Sequence, residues 1–323
     1  MAKVFKILSI DGGGIRGLIP AMVLTEIEKR TGQPISQLFD LVAGTSTGGI
    51  LSLGMVVPGK DGKPRYSARD SIGFYENEGP KIFRDSLWRT AKNLTDEKYP
   101  SNVIDEVLER YFGNAMLGDA LADTLITSYD IERRIPWFFR SSRAATDPEY
   151  NFPMRWVARS TAAAPTYFET ARVSNWDSSD YFPLIDGGVF ANNPTMCAYV
   201  DALRHYIGYD GFLIVSLGTG EYTTRIPYND AKDWGLASWV KPVIDIMMHG
   251  VNETVDYQMS TLFPTADDGS EQYFRFQVRL DNTTNAMDNA SVENMRAVRL
   301  LAEREIGEQN RAIGVLCDRL LET

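Results

Sequence analysis

The chain of 323 residues is short of several residue types that common chemistries require. It has two cysteines, Cys197 and Cys317, and two histidines, His205 and His249. Two cysteines make no disulfide framework, and nothing joins them to histidine or carboxylate at metal-ligand spacing, so neither a disulfide nor a metal is expected. Both cysteines read as buried apolar fillers. No apolar run reaches 18 residues and mean hydropathy is −0.23, so no membrane-spanning helix is expected. Basic residues are outnumbered, 33 Lys and Arg against 43 Asp and Glu for a net charge of −10, which argues against a nucleic-acid polymer as partner. The opening apolar run ends at Asp11, too early for a secretory signal, so a cytoplasmic protein is expected. Repeats, low-complexity tracts and long linkers are also missing.

Apolar residues make up 44% of the chain, enough for a full core. Strands are expected at 4–10, 39–43, 124–129, 135–140, 181–185 and 212–217. Helical patterns lie between them. Apolar positions 19, 23, 24 and 27 mark a helix from Leu18 to Arg30, closed by Thr31-Gly32. Ile50–Val57 is apolar all round, as in a helix buried against a sheet. Val103, Ile104, Val107, Leu108 and Tyr111 form another stripe. Asn193-Pro194 reads as an N-cap with proline at N1, opening a helix to about Tyr206. Residues 291–321 read as one long closing helix. Stretches 58–66 and 264–271 read as surface loops. Strands alternating with helices predict an α/β fold, a mostly parallel central sheet covered by helices on both faces. One domain spanning 1–323 is expected, with a motif-bearing core at about 5–220 and a helical closing segment at about 236–321.

Three motifs carry the chemistry. Val42-Ala43 leads into Gly44-Thr45-Ser46-Thr47-Gly48 and a following helix, the pattern of a nucleophile elbow. Its glycines leave room for a tight turn that exposes Ser46 for acyl transfer. Strand 4–10 delivers Asp11-Gly12-Gly13-Gly14-Ile15-Arg16-Gly17, where backbone amides at a strand-to-helix junction suit an oxyanion. Asp11 reads as structural. Strand 181–185 delivers Asp186-Gly187-Gly188, placing a carboxylate at the carboxyl end of a strand, where α/β sheets build sites. The two histidines lack such a setting. His205 lies inside a helix, and His249 falls near a helix C-terminus, where the dipole accounts for it. A histidine-assisted serine esterase or acyltransferase is the alternative within this class. A rival class is a dinucleotide-binding oxidoreductase, because Gly12-x-Gly14-x-x-Gly17 matches that fingerprint. The acidic residue it needs should follow the second strand, and Asp40 precedes it.

The three motifs in this order resemble the patatin-like phospholipase family. The resemblance runs from about residue 5 to Met287-Asp288-Asn289-Ala290-Ser291 and includes Ala163-Ala164-Pro165-Thr166-Tyr167-Phe168 and Ser216-Leu217-Gly218-Thr219-Gly220. It implies a three-layer α/β/α fold and a phospholipase A or esterase acting on acyl lipids without a cofactor. It implies a Ser46–Asp186 dyad with no histidine, Asp186 serving as general base. It implies an oxyanion held by Gly12, Gly13 and Gly14, with Arg16 fixing or polarising that loop. The partners it implies are a phospholipid or other acyl lipid and a membrane surface touched peripherally. Some bacterial patatin-like proteins are effectors of antiviral defence switched on by second messengers, and a role of that kind stays open.

Two stretches have two readings each. Residues 131–160 hold six arginines, 133, 134, 140, 143, 155 and 159, against three acids. They are either paired within the chain or a site for an anionic headgroup or a small anionic effector. In Leu236–Gly250, Trp239, Val243, Ile246 and Met247 share one helical face. It reads first as a core helix and second as an interfacial lid.

Overall fold

Strand β1, Val4–Ile10, alternates between two apolar environments rather than between core and water. Phe5 and Ile7 join one buried cluster, and Leu8 and Ile10 join another. That is the signature of a strand covered on both faces. The same division separates Leu41 and Ala43 from Val42 in β2 (Leu41–Thr45), and Leu125 from Ile126 in β3 (Asp123–Asp130). The structure is a computed structural model that describes residues 3–84, 98–175, 179–222, 225–265, 271–280, 284 and 286–322. The loop expected at 264–271 therefore lies largely outside the described residues.

The remaining strands are β4 (Ile135–Arg140), β5 (Ala171–Ser174), β6 (Tyr181–Asp186), β7 (Gly211–Leu217), β8 (Glu221–Tyr222), β9 (Tyr273–Phe276) and β10 (Arg279–Leu280). The main sheet runs β5-β6-β3-β2-β1-β7-β9, and β4 also pairs with β3. The pairs of β1 with β2 and β7, β2 with β3, and β7 with β9 are parallel; those of β3 with β4 and β6, and of β5 with β6, are antiparallel. The sheet is thus mixed, with helices on both sides. The longer helices are α1 (Leu18–Thr31), α2 (Thr47–Val56), α3 (Ala68–Ile82), α4 (Ser101–Phe112), α5 (Met154–Thr161), α6 (Thr195–His205), α7 (Leu236–Leu262), α8 (Val292–Glu308) and α9 (Asn310–Leu321). Helices α6 and α7 contribute to the cluster around Phe5 and Ile7, and α1 to α5, α8 and α9 to the other.

The register around β3 decides where the site lies. Residues 125–130 of β3 pair with β4 along one edge. On the opposite edge, β2 occupies positions up to Thr127, opposite Thr45, and β6 takes over at Ser128, opposite Asp186. Strand β2 runs parallel to β3 and β6 antiparallel, so their carboxyl ends meet nose to nose. Thr45 Oγ1 and Thr127 Oγ1 lie 2.7 Å apart, and Ser128 Oγ donates to Ile185 O at 2.6 Å, tying the junction together.

Several expectations need correction. The closing segment is not purely helical, since β9 extends the main sheet beside β7 and β10 pairs with β8. The long helix at 291–321 is two helices that break around Gln309, just after Gly307, a residue with poor helix propensity. Helix α6 begins one residue later than expected; Asn193 Oδ1 accepts from Thr195 N at 3.0 Å in a local turn before it. Cys317 is buried, but Cys197 is only half-buried, and both are free.

The glycine-rich loop after β1 is anchored across the sheet by a buried ion pair. Asp11 Oδ2 lies 2.6 Å from Arg275 Nη2 of β9, and Arg275 Nη1 donates to Ser216 Oγ of β7 at 2.8 Å. Burial pushes the Asp11 carboxyl up, and the guanidinium opposes the shift. Removing one partner strands the other charge in the interior. Arg275→Ala is expected to lower the unfolding free energy by about 3–5 kcal/mol in urea titrations, and Asp11→Asn with Arg275→Met to recover most of that loss. A single-variant loss under about 1 kcal/mol would be the surface-pair value and would contradict this account.

Candidate active site

Ser46 stands between β2 and α2 with φ 55° and ψ −125°, a left-handed conformation that a serine holds only under strain of roughly 1–3 kcal/mol. Its surroundings over-determine that turn. A Cβ on Gly44 would stand 2.3 Å from Gly48 O, and one on Gly48 would stand 2.3 Å from Ile10 O, so only glycine permits this approach to β1. Ser46 N donates to Thr161 Oγ1 at 2.8 Å, and Ile50 N donates to Ser46 O at 3.0 Å.

Asp186 ends β6 and is almost wholly buried. Its carboxylate accepts from Gly188 N at 2.7 Å, and the Ser46 side chain is its polar neighbour on the cavity wall. Burial pushes its pKa up to about 7, against the opposing pull of the Ser46 hydroxyl and the Gly188 amide. Asp186 N donates to Ala163 O at 3.0 Å. The carboxyl end of α5 and the turn after it thus hold both residues, Ser46 through Thr161 and Asp186 through Ala163. Gly187 packs on β3, where a Cβ would stand 2.1 Å from Thr127 Oγ1.

The glycine loop lies alongside. Gly12 N donates to Asn192 O at 3.0 Å, so of the three amides expected to be free, this one is committed within the chain. Thr219 Oγ1 donates to Gly12 O at 2.6 Å. Buried Arg16 donates from Nε to Gly13 O at 3.2 Å, in keeping with a loop-fixing place. Met287 O accepts from Ile15 N at 2.8 Å and closes over Gly14. Gly17 lies against the Tyr75 hydroxyl, which shares a 2.8 Å hydrogen bond with Thr47 Oγ1. A Cβ on Gly13 would stand 2.2 Å from Thr219 Oγ1 and one on Gly14 2.1 Å from Met287 O, so both positions demand glycine. Asp40 lies at the amino end of β2, accepting from Lys6 N at 2.7 Å, away from the loop.

Gly13, Gly14, Ser46, Asp186 and Gly188 border one end of a cavity of about 160 Å³. Its other walls are apolar, with Ile50, Phe74, Ile82, Ile104, Phe168 and Met247 among them. Neither histidine lines it. His205 sits near Asp201, and His249 borders a separate, smaller pocket. The core reading of the α7 segment is corrected: Trp239, Val243, Ile246 and Met247 are 38%, 40%, 45% and 52% exposed. Met247 belongs to both that outer face and the cavity wall.

The arginine-rich stretch is largely paired within the chain. Arg133 bridges Asp130 at 2.8 Å and Asp180 at 2.7 Å, Arg140 meets Asp201 at 2.6 Å, and Arg159 meets Asp105 at 3.0 Å. Arg143 lies over the Tyr150 ring and near Asp147, and Arg155 donates to Gly113 O and Asn114 Oδ1. These contacts support the internal reading over an anion site.

Reading from the residues missed Thr161, Asn192, Thr219, Met287 and Tyr75. The first four act through backbone contacts that no periodicity announces. Tyr75 lies on α3, which had a legible start signal, the capping box between Ser67 and Asp70.

The patatin-like phospholipase profile matches residues 8–199, the span that holds the glycine loop, Ser46 and Asp186. A Solanum tuberosum protein named Probable inactive patatin-3-Kuras 1 is 34% identical over 321 residues, covering 91% of this chain and 84% of its own. Patatin-like protein 2 of Arabidopsis thaliana is 33% identical over 325 residues, covering 90% of this chain and 79% of its own. The chain belongs to the patatin-like phospholipase family. Among the described residues no helix is long and apolar enough to cross a membrane.

The raised pKa of Asp186 has a stability signature. The folded chain holds the proton more tightly than the unfolded chain, whose carboxyl titrates near its ordinary 3.8, so stability is lost as pH rises from there through about 7. Asp186→Asn removes the charge. Its melting temperature is expected to match that of the parent at about pH 4, to exceed it increasingly up to about pH 7, and to hold a constant lead above. A gap that does not vary with pH would mean an unshifted carboxyl.

Proposed function

We propose that the chain is a serine-dependent lipid acyl hydrolase, a phospholipase A or esterase cleaving fatty acyl esters of membrane lipids. The observation that carries the reading is a strained, elbow-mounted Ser46 set beside a buried Asp186 at the polar end of one apolar cavity. Ser46 Oγ attacks the acyl carbonyl carbon while Asp186 takes the hydroxyl proton. The carbonyl oxygen becomes an oxyanion and meets the amides of Gly13 and Gly14. The ester C–O bond then breaks, and Asp186 returns the proton to the departing alcohol. Water attacks the acyl-enzyme with Asp186 again as base, and collapse frees the fatty acid and restores the Ser46 hydroxyl. A carboxylate with pKa about 7 is a far better base than an ordinary one, and this offsets the lack of a histidine.

The apolar walls suit the acyl chain. The exposed face of α7 suits a membrane surface, since Trp239 and the aliphatic side chains beside it can enter the headgroup boundary next to the cavity mouth. With a net charge of −10 and most arginines of 131–160 paired with acids, the chain has little to offer anionic lipid electrostatically, so this contact is apolar.

A fluorophosphonate is expected to add one label per chain, mapped by mass spectrometry to the Ser46 peptide and absent in Ser46→Ala. Asp186→Asn is expected to lose turnover almost completely, whereas His205→Ala and His249→Ala stay within a few-fold of the parent. A loss of about 10³ in a folded histidine variant would restore the triad reading. For the membrane face, Trp239→Ser with Ile246→Ser is expected to cut turnover on zwitterionic vesicles about tenfold or more while sparing a short soluble ester. Equal loss on both substrates would remove α7 from the interface.

A further inference from the structure

The Gly12-Gly13-Gly14 loop poses a problem of aim. Glycine peptides rotate with little steric resistance, and a flipped peptide would present a carbonyl where a donor is needed. In a planar trans peptide, the carbonyl of one residue and the N–H of the next point in opposite directions. Whatever grips Gly12 O therefore aims Gly13 N, and whatever grips Gly13 O aims Gly14 N.

Both carbonyls are gripped. Gly13 O accepts from Arg16 Nε at 3.2 Å and from Arg16 N at 3.3 Å. Gly12 O accepts from Thr219 Oγ1 at 2.6 Å and from Asn192 Nδ2 at 3.4 Å. Asn192 also takes the Gly12 N–H on its own carbonyl at 3.0 Å, so Gly12 is held at both its polar groups. Thr219 and Asn192 are each only 1% exposed, which keeps water from competing for these bonds. Thr219 sits just past the carboxyl end of β7, next to β1 in the sheet, and Asn192 follows the turn after Asp186. Asn192 Nδ2 is anchored in turn by Asn252 Oδ1 of α7 at 3.0 Å.

We propose that Thr219, assisted by Asn192, is a positioning residue that aims the Gly13 amide at the oxyanion by pinning the Gly12 carbonyl. This rests on the acyl-transfer reading of Ser46. The role is specific to the transition state. It predicts an effect on kcat and on binding of a tetrahedral anion, with little on ground-state substrate.

The test compares the parent with Thr219→Val, Thr219→Ser and Asn192→Ala on a short soluble ester and on an aryl trifluoromethyl ketone, which adds to the serine as a tetrahedral oxyanion. Thr219→Val keeps the shape and loses the donor. It is expected to lower kcat about 10- to 100-fold with KM within about threefold, and to weaken the ketone in parallel, as a partly misaimed oxyanion donor does. Thr219→Ser restores the hydroxyl and is expected to keep both within about threefold of the parent. Asn192→Ala is expected to move both quantities the same way by less, its bond being the longer. The proposal is overturned if Thr219→Val keeps parental kcat, if kcat falls while ketone affinity does not, or if the serine variant fails to rescue. Failure of the acyl-transfer reading would show separately, as a parent that neither turns over the ester nor binds the ketone.

Discussion

The site depends on how one edge of β3 is shared. Strand β2 fills that edge up to Thr127 and β6 fills it from Ser128, running the other way. Two strand ends that are far apart in sequence are thereby brought together by backbone ladders. The register is fixed because a slip of one residue would move every side chain from its own apolar cluster to the other, where the packing does not fit it. Ser46 and Asp186 thus inherit their closeness from the sheet. The local turns then aim the side chains, with Gly44, Gly48 and Gly187 permitting contacts that a Cβ would block.

Burial shapes the chemistry at that junction. Asp186 accepts from the Gly188 amide and, among the described residues, has no cation as partner, so desolvation dominates and its basicity rises. Asp11, the other buried carboxylate near the loop, has a different fate. It is paired at 2.6 Å with Arg275 and serves to hold β1, β7 and β9 together. Two aspartates, each at the carboxyl end of an apolar strand and before glycines, differ in what the rest of the chain brings to them.

Much of this was legible in the chain. The elbow, the glycine loop, the Asp186 turn and most of the parallel strands carried local signals of composition and order. Strands β5 and β9 did not, because four residues that gain their place by pairing with distant partners have no periodicity to read. Nor did the outward orientation of Trp239, Val243, Ile246 and Met247. An apolar helical face looks the same in sequence whether it meets a core or a lipid surface. The arginines of 131–160 looked like an anion site because their partners, Asp105, Asp180 and Asp201 among them, lie outside the stretch.

The sequence by itself determined which reactive groups are on offer: one serine in a turn that only flanking glycines allow, one carboxylate after a strand, and a run of glycine amides. These are properties of a few adjacent residues, and backbone sterics makes them local. Only the tertiary structure decided which of those groups meet and which are spent. It set β6 against the end of β2, buried Asp186 beside Ser46, committed the Gly12 amide to Asn192, and left Gly13 and Gly14 facing the cavity. Hydrogen-bond commitments and desolvation come from residues a hundred or more positions apart, and no local pattern records them.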